Sequence, residues 1–285
     1  MSLELREQLQ RSVGSSYTID RELESGMSRV FLAHDARLGR QVVVKVLNPE
    51  LAAAVAEDQF EHEMGDATRL EDSRIVPILG AGDSGGLPYY VMPFVDGESL
   101  RSRLARGPLA VSDAVSILRD VALALQYAHE RGVVHGDIGP DHVRLTGDSA
   151  VVTDFGVANA IAVATSRAPL TTLTHNGLAG NTPAYMAPEQ ALGDANADHR
   201  VDIYAWGVMA YELLAGRHPF GGRATPPEAM VAAQIEETPP PLEADAGHAS
   251  RDLASLVNQC LRKNPAERPP NAGELLRRLE SQAST

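Results

Sequence analysis

The spacing of hydrophobic residues changes along the chain and divides it into two halves. Between Tyr17 and Met92, short apolar runs rich in β-branched residues alternate with turn residues; they cover residues 30–33, 42–47 and 89–91. Runs of this kind are typical of β-strands. One helix is predicted in the same half, over residues 58–70. The first half is therefore predicted to be mostly sheet.

Beyond Gly97 the apolar residues recur at helical spacing. A first amphipathic helix begins near Ser112, a suitable N-cap, and carries its apolar face through Val115, Leu118 and Leu125. Further helices are predicted over residues 202–215, 226–236, 250–261 and 271–281. The fold class is therefore α+β, with a sheet-rich lobe (about 17–92), a hinge (93–97) and a larger helical lobe (98–281). A cleft between two lobes is a common place for a ligand.

The two ends of the chain are assigned separately. Residues 1–16 carry Leu5, Leu9 and Val13 at helical spacing among polar residues, which predicts a helical leader that is either packed or a frayed end. Residues 282–285 are assigned to a tail. No internal repeat is found, which excludes solenoids and propellers.

Composition narrows the possible functions. The 285 residues are 44% hydrophobic and 22% charged, and the formal net charge of −13 disfavours binding to a nucleic-acid backbone. A single cysteine, Cys260, excludes an internal disulfide framework, and we expect it to be a small core residue. Because no secretory signal and no apolar stretch of roughly 18 residues is present, we expect a cytoplasmic protein without a membrane span.

The residues that suggest chemistry occur in a fixed order. Lys45 ends the run 42–45, and Glu63 lies on the predicted helix. A lysine in this setting is more often a surface residue, so the pair means little alone. Asp137 follows in His-Gly-Asp, five residues before His142, and Asp154 begins Asp-Phe-Gly after another apolar run. Two such aspartates can face one cleft, where one orients a hydroxyl and the other holds a metal on a triphosphate.

With these motifs, the chain from about Tyr17 to Leu279 resembles the protein kinase superfamily, in particular bacterial serine/threonine kinases of the eukaryotic-like type. Residues 182–189, Thr-Pro-Ala-Tyr-Met-Ala-Pro-Glu, resemble the end of an activation segment, and residues 202–207 resemble the start of the buried helix that anchors the catalytic loop. The resemblance implies a two-lobed kinase fold with a small antiparallel-sheet N-lobe and a mainly helical C-lobe.

The resemblance also implies cofactors, partners and site residues. It implies ATP with Mg²⁺ or Mn²⁺, and a protein as substrate or binding partner. Lys45 would hold the α- and β-phosphates and pair with Glu63, Asp137 would be the catalytic base, and Asp154 would carry magnesium. Further residues that would lie against the nucleotide are Gly26, Val30, the gatekeeper Met92, and the hinge residues Pro93 and Val95. The residues that would form a buried structural ion network are Glu189, Asp202 and Arg268.

Several positions depart from the family pattern. The glycine-rich loop keeps only Gly26 and is one residue short, which weakens the expected grip of its backbone on phosphate. In the catalytic loop, Gly136 stands for an arginine, Gly139 for a lysine near the γ-phosphate, and His142 for an asparagine that ligates a second magnesium ion. Since magnesium prefers oxygen ligands, His142 is predicted to hold that ion poorly.

Three functions remain open on the sequence. The first is a protein serine/threonine kinase, with activity weakened by these departures. The second is a pseudokinase that keeps the fold and acts by binding partners. The third is a small-molecule phosphotransferase, a class that shares the His-Gly-Asp motif but normally lacks Ala-Pro-Glu, here at 187–189, and the helix pattern after Asp202.

Overall fold

The computed structural model describes residues 2–23, 29–47, 52, 55, 57–164, 183–221, 225–242 and 250–281. The chain divides into two compact units. The first unit contains the chain up to Glu71 and residues Val76–Asp96. The second unit contains Asp72–Ile75 and most of the chain from Gly97 onward.

The first unit is built on a five-stranded antiparallel sheet. Its strands are β1 (Tyr17–Leu23), β2 (Arg29–Asp35), β3 (Arg40–Val46), β4 (Gly80–Asp83) and β5 (Pro88–Pro93). They lie in the order β1-β2-β3-β5-β4. The β-branched run of β3 fits this central position, because its side chains are buried on both faces of the sheet.

Helix α1 (Ser2–Val13) packs against this sheet. Its Leu5, Leu9 and Val13 join one apolar cluster with sheet residues such as Phe31 and Val44. Polar contacts fix the same position, because the Gln10 side chain donates to Tyr17 O at 2.9 Å and accepts from the backbone N–H of Ile19 at 2.8 Å. The predicted leader therefore shares the core of the first unit. The other helix of this unit, α2 (Glu57–Ala67), buries Phe60 and Met64.

The second unit is mainly helical. Its helices are α3 (Leu100–Leu104), α4 (Val111–His129), α6 (Pro188–Ala191), α7 (Arg200–Ala215), α8 (Pro227–Glu236), α9 (Arg251–Cys260) and α10 (Ala272–Glu280). A small sheet of β6 (Glu98–Ser99), β7 (Val143–Thr146) and β8 (Ser149–Val152) completes it. Helix α7 is buried along most of its length, and its Trp206 donates from Nε1 to Leu118 O of α4 at 3.0 Å.

The architecture confirms the predicted α+β class, with a mostly sheet first half and a mostly helical second half. One local expectation changes. Helix α4 begins at Val111 with Ala110 as its N-cap, so Ser112 lies inside the first turn, where its hydroxyl contacts Asp113. Residues 157–164, just after the Asp-Phe-Gly motif, form helix α5 (Val157–Ala164). Among the described residues, no helix is both long and apolar enough to cross a membrane.

Close packing of α7 on α9 gives a testable prediction. A Cβ added at Gly207 would lie 2.5 Å from Cys260 Cβ, whereas one added at Gly65 of α2 would meet nothing within 4 Å. We expect Gly207→Ala to destabilise the protein by about 1 to 3 kcal/mol through overpacking. The matched change Gly65→Ala should stabilise it by about 0.5 to 1 kcal/mol, because alanine restricts the unfolded chain.

Urea unfolding midpoints of the two variants measure both effects. If Gly207→Ala were as stable as wild type, the two helices would have to be further apart than the structure places them. Cys260 itself is fully buried, and burial raises the pKa of its thiol to about 12, which fits the expected core role.

Candidate active site

The loop over residues 135–142 carries the predicted catalytic base, Asp137, together with His142, and lies just before β7. Its backbone depends on glycine at one position in particular: Gly136 has φ 78°, and an added Cβ would lie 3.2 Å from Ala158 Cβ. A larger residue would be strained and crowded there. Pro140 then starts a single 3-10 turn, Pro140–His142, that leads into the strand.

Asp202, at the start of α7, anchors this loop. Its Oδ2 accepts from His135 N at 2.9 Å and lies 2.8 Å from His129 Nε2, and its Oδ1 accepts from Gly136 N at 2.8 Å. Burial alone would raise the pKa of Asp202, but these hydrogen bonds, with that of His129 the strongest, hold it below its ordinary value. The fully buried carboxylate therefore stays ionised and fixes two successive peptide groups.

His135 supports the same loop from within. Its Nε2 lies 2.8 Å from Thr153 O, and its Nδ1 accepts from Asp137 N at 3.1 Å. Complete burial lowers the pKa of His135. The ring is thus a neutral imidazole with its proton on Nε2, because the Thr153 carbonyl can only accept.

His142 lies between the predicted catalytic base, Asp137, and the predicted magnesium ligand, Asp154. Its Nδ1 lies 2.8 Å from Asp154 Oδ2, and its Nε2 lies 3.2 Å from Asp137 Oδ2. Burial alone would lower the pKa of His142, but the neighbouring charges, that of Asp137 above all, raise it to about 10. Since an ionised carboxylate only accepts hydrogen bonds, both ring nitrogens donate and the ring is a cation.

The donor set fits magnesium at one of the two predicted ligand positions, Asp154 and His142. Asp154 supplies a carboxylate whose side chain is only 4% exposed, and Thr153 Oγ1 donates to its Oδ2 at 2.6 Å. At the second position His142 offers nitrogen, and both of its nitrogens face carboxylates. The adjacent Asp141 lies 3.2 Å from Arg101 Nε. The site therefore fits an ion at Asp154 and offers no oxygen at position 142.

Tyr185 occupies the space beside Gly139. A Cβ added at Gly139 would lie 3.1 Å from Tyr185 Cδ2, so a side chain at position 139 would contact the tyrosine ring. Arg101 of α3 binds the Tyr185 hydroxyl and also forms an ion pair with Glu212 of α7 at 2.7 Å. These contacts connect α3, the end of the activation segment and α7.

The predicted nucleotide residues of the first unit lie on the sheet. Lys45 of β3 is half-buried and pairs in register with Val30 of β2, while Met92 of β5 is buried opposite Val43. Pro93 ends β5, and Val95 follows in the predicted hinge. Gly26 lies outside the described residues. The nucleotide contacts of these residues stay predictions.

Glu63 of α2 accepts a hydrogen bond from Gln59 Nε2, one turn earlier in the helix, at 2.9 Å. Its pairing with Lys45 stays a prediction.

Glu189 and Arg268 form a buried ion pair in the second unit. The guanidinium donates from Nη1 and Nη2 to the two carboxylate oxygens at 2.6 and 2.7 Å. Arg268 is fully enclosed, and it also donates to the backbone carbonyls of Arg262, Arg200 and Lys263. Asp202 belongs to the separate anchor described above.

Two supporting residues were missed by the sequence analysis. Arg101 gave no local signal, because its partners Asp141, Tyr185 and Glu212 are distant in sequence. Lys263 could have been noticed from its rarity, because the chain contains only two lysines but 23 arginines. Its ammonium donates to Gln234 O at 2.6 Å and to the Tyr204 hydroxyl at 3.2 Å, in a space that suits a compact cation.

Comparison with known proteins identifies the family of this chain. Residues 17–278 match the model of the protein kinase domain family. The serine/threonine-protein kinase PknB of Mycobacterium leprae is 38% identical over 258 residues, which cover 88% of this chain and 40% of that protein. PknB of Mycobacterium tuberculosis is 36% identical over 257 residues, with the same two coverages. The chain thus spans about 40% of the length of these curated relatives.

A solved structure shows the same fold. The kinase domain of Mycobacterium tuberculosis PknI is 27% identical and superposes with a TM-score of 0.69, covering 94% of this chain and 96% of that one.

Proposed function

Because the chain belongs to the protein kinase domain family, we propose that it is a serine/threonine kinase that transfers the γ-phosphoryl group of ATP to hydroxyl groups of proteins. The observation that carries this proposal is the convergence of Asp137 and Asp154 on His142. A carboxylate that can accept a hydroxyl proton and one that can hold a metal ion on a triphosphate lie on either side of one imidazole ring.

The residues of this chain have distinct tasks in such a transfer. The acceptor oxygen bonds to the γ-phosphorus, the bond to the β–γ bridging oxygen breaks, ADP leaves, and the hydroxyl proton passes to Asp137. Asp202 and His135 hold the backbone that carries Asp137. Lys45 would bind the α- and β-phosphates. A magnesium ion held by Asp154 would neutralise phosphate charge.

A second candidate is a binding module that keeps nucleotide and transfers phosphate slowly or not at all. It is supported by His142, whose two nitrogens both face carboxylates, and by Gly139, which carries no cation for the γ-phosphate. Removing one preorganised charge of this kind commonly costs roughly 2 to 4 kcal/mol of transition-state stabilisation. Both candidates share ATP as a ligand, so binding and transfer must be measured separately.

We expect Mg-ATP to raise the Tm of the wild-type protein, since a ligand at 100 times its Kd stabilises the folded state by about 2.7 kcal/mol. The shift should fall in Lys45→Met and Asp154→Asn and persist in Asp137→Ala, which keeps the proposed phosphate and metal contacts. Transfer of labelled phosphate to casein should be detectable with wild type and lost with Asp137→Ala.

Each outcome has a defined meaning. A Tm shift without transfer to casein, to small hydroxyl compounds or to the chain itself would favour the binding module. Transfer only to small hydroxyl compounds would overturn the protein-kinase proposal. If Mg-ATP gave no shift, or equal shifts in wild type and Asp154→Asn, the proposed nucleotide site would be wrong.

A further inference from the structure

The peptide group between Gly136 and Asp137 is held at both of its polar ends. Its N–H, on Asp137, donates to His135 Nδ1 at 3.1 Å. Its carbonyl, on Gly136, accepts from Gln190 Nε2 at 2.9 Å. The first bond lies within the catalytic loop, whereas the second comes from α6, just after Glu189. The orientation of the peptide that carries Asp137 therefore depends on a side chain outside the loop.

The amide of Gln190 has only one favourable orientation at this position. Its Oε1 accepts from Ala187 N at 3.0 Å while its Nε2 donates to Gly136 O. Reversing the amide would place oxygen against the Gly136 carbonyl and NH₂ against the Ala187 N–H, so both contacts would become repulsive. Gln190 is half-buried, and its neighbour Glu189 is fixed by the ion pair with Arg268. The backbone that carries the Gln190 side chain is thus held in place by the neighbouring ion pair.

We propose that Gln190 is a positioning residue that ties the end of the activation segment to the Gly136–Asp137 peptide and needs no phosphate to do so. This proposal rests on the proposed kinase function only where it predicts an effect of Gln190 on phosphoryl transfer. Gly136 has no side chain that could bind a phosphate, and the bond to Gln190 uses its backbone carbonyl. An amide donor is uncharged, so the link does not depend on a charge added to the segment.

Two substitutions separate this link from the other contact of Gln190. Gln190→Glu keeps an acceptor for Ala187 N–H but places a second oxygen against the Gly136 carbonyl, whereas Gln190→Met loses both contacts. We expect the Asp137 amide proton to exchange with solvent at least tenfold faster in both variants. The Ala187 amide should exchange faster only in Gln190→Met. Amides of His135 and Gly136, which bind Asp202, should change less than threefold.

The kinetic arm measures the consequence for transfer. In an active protein, both variants should lower kcat at least tenfold and leave the KM for ATP within threefold, because neither changes the proposed phosphate-binding residues. Phosphatase treatment of the wild type should leave the Asp137 exchange rate unchanged.

The results distinguish the possible failures. Wild-type exchange at Asp137 in both variants would overturn the link whatever the activity, and a change on phosphatase treatment would overturn its independence from phosphate. Faster exchange with unchanged kcat would overturn the positioning role. If wild type transfers no phosphate, the proposed function fails, and the exchange rates alone decide whether Gln190 holds the peptide.

Discussion

Replacing His142 with asparagine should increase magnesium-dependent phosphoryl transfer at least tenfold, which corresponds to about 1.4 kcal/mol of activation free energy. In the wild type, the His142 ring lies between Asp137 and Asp154 as a cation, and its Nδ1 contacts Oδ2 of Asp154, the carboxylate that would hold the metal. His142→Asn removes that charge and supplies an amide oxygen, the type of ligand that magnesium prefers. Initial rates across a magnesium titration measure the change.

A second measurement does not depend on transfer. Without nucleotide, magnesium should raise the Tm of His142→Asn more than that of wild type, because Asp137 and Asp154 have lost their neutralising partner. The exposed residue His34 offers a matched control, and His34→Asn should behave as wild type. Equal magnesium dependence in wild type and His142→Asn would show that His142 does not compete with the metal.

His142→Asn alone is a sharper test than the double variant that also contains Gly139→Lys. Adding Gly139→Lys would place Cβ 3.1 Å from the ring of Tyr185, so the ring would have to shift by a few tenths of an ångström to admit the new side chain. A gain in the double variant would therefore mix the effects of charge and repacking.

Removing Glu189 should destabilise the protein by about 3 to 5 kcal/mol, the usual cost of leaving a buried charge without its partner. The Arg268 side chain is fully enclosed and loses both of its short carboxylate contacts in Glu189→Ala. For a domain of this size the loss corresponds to a fall in Tm of roughly 6 to 20 °C. Thermal and urea unfolding both measure it.

An exposed ion pair provides the control. Glu274 and Arg277 of α10 lie one turn apart on the surface, and Glu274→Ala should cost less than about 1 kcal/mol. The double variant Glu189→Leu with Arg268→Met should be more stable than Glu189→Ala, because it leaves no charge buried. If Glu189→Ala and Glu274→Ala were equally stable, the buried pair would not support the fold as argued.

The sequence predicted those elements whose side chains alone explain their structure. β3 was predicted because its β-branched residues favour a buried strand, and α7 because its apolar residues fit a buried helix. β4 was missed, since Gly-Ala-Gly-Asp has little strand preference and Gly80–Asp83 becomes a strand only by pairing with β5. The start of α4 was misplaced because serine next to a helix is a common N-cap but not the only one.

The candidate site followed the same rule. The spacing of the motifs located Asp137, His142 and Asp154 and raised doubt about metal binding at His142. It did not show that one imidazole reaches both carboxylates, because that contact depends on how the loop before β7 and the residues after β8 come together. Nor did it show the local hydrogen bond between Gln59 and Glu63.

The packing of α1 limits how far this chain can be shortened from its N-terminal side. The family match begins at residue 17, yet Leu5, Leu9 and Val13 are buried in the same apolar cluster as Phe31 and Val44. A fusion joined at residue 17 would expose that face of the sheet to water and to other chains, which favours aggregation. The smallest portion of this chain suited to expression, domain exchange or transplantation therefore includes residues 2–13, although sequence similarity alone would leave them out.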